Sequence, residues 1–266
     1  MAGSPKVGIV SLTGSVEAGV KIMQAAAPNI TKVSLELGGK APVIICADAD
    51  LELAAQAVLD SRIGNSGQIC NQAERVYVDK KVKKQFTDLI VKKFQAVKVG
   101  DPAVMKDADM GPLVEKRALE SVAAKVDNAL KQGAKLLCGG NRIGEKGYFY
   151  APTVLDECRQ DMDIIHEETF GPVLPLVEFD GLDQAIEWAN DSEYGLASSV
   201  FTKDLDTAAR VCRELKFGET YINRFHFEAI QGFHAGVKKS GIGGADGKHG
   251  LEEYLNTHVI YLQTHY

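Results

Sequence analysis

The sequence predicts an α/β fold in which helices cover a largely parallel sheet, and three observations carry that prediction. Short β-rich runs alternate with amphipathic helical stretches along the chain. Glycine or proline closes the clearest helical stretches. A length of 266 residues at 45% hydrophobic content supplies enough apolar surface for a sizeable core.

The β-rich runs come in order. "VGIVSL" (7–12) and "KVSLEL" (32–37) are the first pair, and "PVIIC" (42–46) and "RVYV" (75–78) follow. "VLPLVEF" (173–179), "ASSVF" (197–201) and "TYIN" (220–223) complete the set. In "KVKKQFTDLIVKKFQAVKVGDP" (81–102), Phe86, Leu89, Ile90, Phe94 and Val97 share a helical face opposite the lysines, and Gly100 with Pro102 ends the element. Leu119, Val122, Val126 and Leu130 make a second stripe, closed by Gly133. The tail "HVIYLQ" (258–263) is followed by no helix and is expected to add to a sheet edge, that of a second subunit included. No internal repeat or low-complexity linker divides the chain.

Composition narrows the function. The formal charge of -6 is spread out, with no basic block to follow a phosphate backbone, so nucleic acid is not an expected partner. No run of about 18 apolar residues spans a membrane, and the first residues lack the order of a signal peptide, which makes the cytoplasm the expected location. The five cysteines are odd in number and contain no Cys-x-x-Cys pair, which argues against a disulfide framework and structural zinc.

Most free cysteines are small buried hydrophobes. Cys46 in "PVIIC", Cys138 in "AKLLCGG" and Cys212 in "AARVCREL" read as structural, whereas Cys158, in the charged "DECRQD", reads as exposed. Cys70 differs: small and polar residues surround it in "NSGQICN", at the end of a helix and just ahead of a strand. There a thiol meets backbone N–H groups and a ligand together. A nucleophilic cysteine needs a partner that handles protons, and Glu36 in "LELGGKAP" is the candidate, at a strand end and ahead of two glycines that permit close backbone approach. The plainer alternative is a surface ion pair.

Other stretches are weaker. Gly39-Lys40 is no P-loop, because position 34 is Ser and Ala41 is neither Ser nor Thr. "LTGSVEAG" (12–19) follows a strand and opens a helix with Gly14 and Ser15, which suits either a phosphate cradle or an ordinary N-cap. In "HEETFGPV", Glu167 and Glu168 are adjacent and cannot share one ion from a helix, so no metal is expected. "SGIGGADGKHG" (240–250) has Asp246 where a dinucleotide fingerprint needs its third glycine.

Together, "LTGSVEAG", "LELGGKAP", "NSGQICN", "EETFGPV", "GETYIN" and "KSGIGG", with the 34-residue step from Glu36 to Cys70, resemble the NAD(P)-dependent aldehyde dehydrogenase superfamily over the whole chain. "CNQAERVYV", "GFHAG" and "KSGIGGADGKHGLEEYL" look most like its lactaldehyde- and glycolaldehyde-oxidising members. The resemblance implies a Rossmann-like layered sheet, with residues 1–38 as part of an NAD(P)-binding domain, 39–237 as the catalytic domain, and 238–266 as a return segment ending in an oligomerisation strand. It gives Cys70 the role of nucleophile and Glu36 that of general base. It places Gly14 and Ser15 at the cofactor pyrophosphate, Leu37 and Phe170 against the cofactor, and Glu168 at the nicotinamide ribose. Asn223, Phe225 and Phe227 fall in a substrate-entrance loop. The implied activity is oxidation of a small hydroxyaldehyde with NAD or NADP, in a homo-oligomer of two or four subunits.

The sequence departs from the family pattern in places. Leu12 stands where Phe is common, and Lys248 where many members carry Glu, so a proton relay there is not carried over. The segment that precedes "VSLTGS" in family chains, with further strands of the dinucleotide fold and an Asn of the oxyanion hole, has no counterpart here. Weak or undetectable NAD binding and aldehyde oxidation by these 266 residues alone are therefore expected, with partial rescue when that segment is supplied in trans. Two other readings stay open at this stage: a folded binding module without turnover, and a thiol esterase that needs no cofactor.

Overall fold

The computed structural model describes residues 1–265. The chain opens with β1 (Ile9–Thr13), α1 (Val16–Ala26) and β2 (Lys32–Glu36). It continues through β3 (Ala41–Ile45), α2 (Leu51–Ile63), β4 (Ala73–Asp79), α3 (Lys83–Gln95) and α4 (Lys116–Lys131). Next come β5 (Lys135–Cys138), β6 (Arg142–Ile143), β7 (Phe149–Tyr150), β8 (Thr153–Asp156), α5 (Asp163–His166) and β9 (Val173–Phe179). The last elements are α6 (Leu182–Asn190), β10 (Tyr194–Gly195), β11 (Ala197–Phe201), α7 (Leu205–Glu214), β12 (Glu219–Ile222), β13 (Val237–Lys238), β14 (Gly241–Ile242) and α8 (Gly247–Glu252).

Seven strands form the main sheet in the order β12-β11-β3-β4-β9-β8-β5. Every pairing in it is parallel except β5 with β8. Its central strands are apolar runs rather than alternating ones because both faces are covered. On β4, Val76 and Val78 pack towards Ala54, Val58, Phe86, Ile90 and Phe94 of α2 and α3, while Tyr77 packs on the opposite face with Val122 and Val126 of α4. The two sequence stripes are thus the inner faces of α3 and α4, with Leu130 at the exposed edge of its stripe.

A second, three-stranded sheet has the order β1-β2-β14. β1 and β2 run parallel from Ile9 opposite Lys32 to Thr13 opposite Glu36, and β14 closes antiparallel on Leu35 and Glu36. Ser15 caps α1 by accepting from Ala18 N, so the N-cap reading of "LTGSVEAG" holds whatever else the turn does. The carboxyl ends of β1 and β2 meet the amino ends of β3, β4, β9 and β12, and the functional residues gather at that junction.

Two cysteine expectations are reversed. Cys158 is buried and Cys212 exposed. The acidic and basic neighbours of Cys158 point outward while its own side chain joins Met162 and Leu155 in the core, and burial pushes its thiol up to about 12. On α7 only Val211 is fully buried, which turns the next residue outward. The tail 258–263 forms no strand within the described residues, and Val259, Ile260, Tyr261 and Leu262 are exposed. No helix of the described residues is long and apolar enough to cross a membrane, and none of their acidic, His and Cys side chains cluster to hold a metal.

Candidate active site

Cys70 lies in the turn between α2 and β4, half-buried. The turn is made by three successive residues in the left-handed region, Asn65 (φ 47°), Ser66 (φ 58°) and Gly67 (φ 76°), which end the helix and swing the chain back. Two glycines matter because of what lies against them. A side-chain carbon on Gly39 would stand 2.2 Å from the carbonyl oxygen of Cys70, and one on Gly67 would stand 2.3 Å from the carbonyl of Gly171. Both contacts are closer than any side chain tolerates, so "LGGK" and "NSGQ" are the sequence's price for bringing these backbones together.

Cys70 lines a cleft of about 710 Å³ with Gly14, Ser15, Leu37, Glu168 and Phe170. All five residues assigned to cofactor from the sequence therefore share one space with the candidate nucleophile. Val114, Arg117 and Ser121, from the start of α4 and the loop before it, form another wall. Glu168 accepts from Gly39 N at 2.8 Å; burial, then the nearby Glu74 charge, pushes its carboxyl up to about 7. Phe170 takes a left-handed φ of 52°.

Glu36 stands on the other side of Cys70. It is 8% exposed, and neither carboxylate oxygen has a hydrogen-bond partner among the described residues. Burial pushes it up to about 7, against the attraction of His234. His234 Nε2 is 3.6 Å from Glu36 Oε2, and its Nδ1 pairs with Glu219 Oε1 at 2.9 Å. The Cys70 thiol beside it, then Glu219, push His234 up to about 11, which makes it an imidazolium at neutral pH. Two backbone hydrogen bonds with Ala245 fix its loop.

The entrance-loop residues are placed differently from one another. Asn223 turns its amide to Thr202, accepting from N at 2.9 Å and donating to O at 2.8 Å, so it anchors the loop. Phe225 and Phe227 are exposed, with ring centroids 5.8 Å apart. Between them, His226 is buried with Nδ1 3.2 Å from Ser61 Oγ. Glu228 accepts from Asn71 Nδ2 at 2.7 Å, tying the loop to the residue that follows Cys70.

A buried charge cluster underlies the cleft, and sequence reasoning missed it. Glu74 Oε2 accepts from Lys40 Nζ at 2.7 Å and Thr169 N at 3.0 Å; Oε1 accepts from Arg62 Nη1 at 2.9 Å and Phe170 N at 3.2 Å. Arg62 also donates to Ala73 O at 2.7 Å, Gly171 O at 2.8 Å and Gly67 O at 3.2 Å. Burial alone would push the Glu74 carboxyl up, but Arg62 and Lys40 hold it well below the usual carboxylate range. The cluster thus clamps the turn of Cys70 to the segment carrying Glu168 and Phe170. His234 and Glu219 were missed as well, although "GFHAG" and "GETYIN" carry them; a motif fixes their presence and not which way they face.

Cys70 lines the cleft, and His234 and the buried Glu36 stand together 3.6 Å apart outside its lining, a donor set of the kind that covalent chemistry on a small electrophile uses. The aldehyde dehydrogenase family model matches residues 1–260, and the chain belongs to that family. It is 60% identical to lactaldehyde dehydrogenase of Escherichia coli (strain K12) over 99% of this chain and 55% of that protein. It is 48% identical to the 3,6-anhydro-alpha-L-galactose dehydrogenase of Vibrio sp. (strain EJY3), over 96% of this chain and 54% of that one. The crystal structure of the E. coli lactaldehyde dehydrogenase superposes with a TM-score of 0.98 over 99% of this chain and 55% of that chain. A structure of 3,6-anhydro-L-galactose dehydrogenase in complex with NAP superposes with a TM-score of 0.92 at 47% identity, over 96% of this chain and 54% of that chain. The chain spans about half the length of the curated relatives it matches.

Proposed function

We propose that this chain carries the thiol and hydrolytic machinery of an aldehyde oxidation, taking a small hydroxyaldehyde such as lactaldehyde or glycolaldehyde to the carboxylic acid. The observation that carries this reading is the shared cleft, where Cys70 meets Gly14, Ser15, Leu37, Glu168 and Phe170. The relatives' names support the hydroxyaldehyde class.

The residues fit a nicotinamide cofactor: Gly14 and Ser15 present the amino end of α1 to the cleft, where backbone N–H groups suit a pyrophosphate, and Leu37, Glu168 and Phe170 line the space beside Cys70. When bound, NAD or NADP supplies the hydride acceptor. The chain's own residues do the rest. Cys70 Sγ adds to the aldehyde carbon, which becomes a thiohemiacetal and, once oxidised, a thioester. Glu36 takes a proton from water, whose oxygen attacks the thioester carbon; the C–S bond breaks, releasing the acid and restoring the thiol. The buried, unpartnered carboxylate of Glu36 is suited to that task because its proton affinity is close to neutral.

The sign of the pH effect follows. Below about 7 Glu36 becomes protonated and cannot accept from water, so acyl release rises with pH and levels off above that value. Glu36→Gln is expected to flatten this profile and slow release by roughly 10² to 10⁴. The measurement is the decay of an acylated Cys70, followed by mass across pH. A Gln variant with an unchanged profile would remove Glu36 from this step.

The reading as a whole is tested by supplying the remaining part of the E. coli relative's chain, incubating with glycolaldehyde or lactaldehyde and NAD or NADP, and following reduced nicotinamide; no product above a Cys70-blocked sample of the same assembly counts against it. The five free cysteines suit a reducing cytoplasm. The exposed Val259, Ile260, Tyr261 and Leu262 suit strand addition to another subunit of a homo-oligomer.

A further inference from the structure

The aldehyde side of Cys70 is unusually acidic. Glu36 from the end of β2, Glu219 from the start of β12 and Glu228 from the loop after it all face this region, with Asp246, ahead of α8, near enough to act on Glu36. The cations there are His234, which is engaged by Glu219 and Glu36, and Arg224, which lies over the Tyr221 ring at 5.5 Å and donates to Phe227 O. Tyr221 itself donates to Glu219 Oε2 at 2.7 Å. Glu36 is buried, 3.6 Å from His234 Nε2, and neither of its oxygens has a hydrogen-bond partner among the described residues, which leaves it acceptor capacity for a ligand.

We propose that this site selects its aldehyde by charge: Glu36, Glu219 and Glu228 admit neutral, hydroxyl-bearing aldehydes, whose O–H groups donate to carboxylate, and exclude aldehydes that carry a carboxylate of their own. The inference rests on the aldehyde reading above and adds Glu219 and Glu228 as specificity determinants. A carboxylate entering beside Cys70 meets Glu219, Glu228 and the ionised fraction of Glu36, more negative charge than His234 offsets, in a partly desolvated space where each such pair is far less screened than in water. A hydroxyl meets the oxygens of Glu36, which have no hydrogen-bond partner among the described residues, and buried acceptors left unpaired are costly.

The test needs neither cofactor nor turnover. Cys70 is alkylated in the whole chain by iodoacetamide and, separately, by iodoacetate. In both reactions Sγ displaces iodide and forms the S–C bond, so the two reagents differ chiefly in charge. Rates come from mass mapping of the Cys70 peptide, and each is divided by the rate of the same reagent with N-acetylcysteinamide, a neutral free thiol. The expected iodoacetamide preference at Cys70 is at least about tenfold, falling about three- to tenfold in Glu219→Gln and separately in Glu228→Gln. Glu228 is only half-buried, so its variant tests the idea without depending on the His234 pairing. Equal normalised rates for the two reagents, a preference unchanged in both variants, or no labelling of Cys70 while Cys212 reacts would each overturn the proposal. Absence of reduced nicotinamide when the remaining part of the relative's chain is supplied overturns the aldehyde reading instead, so the two failures are told apart.

Discussion

In a full-length context, and on the aldehyde-oxidation reading, replacing Cys70 by Ala is expected to abolish hydride transfer, with a loss on the order of 10⁴-fold or more, as when a nucleophile that acts through a covalent intermediate is removed. The other four cysteines cannot substitute. Burial pushes Cys46 and Cys158 up to about 12 and raises Cys138, so all three stay as unreactive thiols, and Cys212 lies on the outer face of α7, away from the cleft. Measurement of reduced nicotinamide and of covalently held acyl group in Cys70→Ala checks both halves of the claim. Residual activity within about tenfold of the parent would show that the chemistry does not pass through this sulfur.

The second large effect concerns stability rather than chemistry. Glu74→Ala is expected to lower the unfolding free energy by about 3–5 kcal/mol, because it leaves Lys40 and Arg62 as buried cations with no counter-charge. In a chain of this size that corresponds to a fall in Tm on the order of 10 °C. The stabilisation has a defined pH sign. Glu74 is held below its ordinary range, so its contribution is present at neutral pH and is lost only as acid carries the solution below the usual carboxylate titration. Chemical denaturation at neutral pH is the check; a loss under about 1 kcal/mol, typical of an exposed pair, would mean that the cluster carries little of the fold.

Five strands of the main sheet, β3, β4, β9, β11 and β12, were legible because parallel strands covered on both faces read as apolar runs ("VLPLVEF" coincides with β9 and "ASSVF" with β11), whereas the short β5 and β8 at its edge were not. The facing of single side chains was not. Cys158 and Cys212 were misread because charged neighbours in sequence do not fix which side of a turn or helix a thiol occupies. Motifs singled out Cys70, Gly14, Ser15, Leu37, Glu168 and Phe170 as candidates, and the cleft they share is a property of the fold. The clamp escaped notice because it joins Lys40 to Glu74 across 34 positions and to Thr169 across 129, and no local period reports such a pairing. His234 escaped for the same reason, since its partners Glu36 and Glu219 lie on different sheets.

The contact of Gly67 with Gly171, bridged by Arg62, also makes the Cys70 turn and the 168–171 segment a single mechanical body. Gln68 extends that body by accepting from Val114 N at 2.9 Å, which fastens the wall before α4 to the same turn. Any breathing of the cleft therefore falls to the remaining lip, Gly14 and Ser15 at the head of α1. In hydrogen exchange, the amides of Ala73, Thr169 and Phe170, each bonded to a buried side chain, are expected to open only with the whole molecule, while Val16 and Glu17 exchange on the timescale of ligand entry.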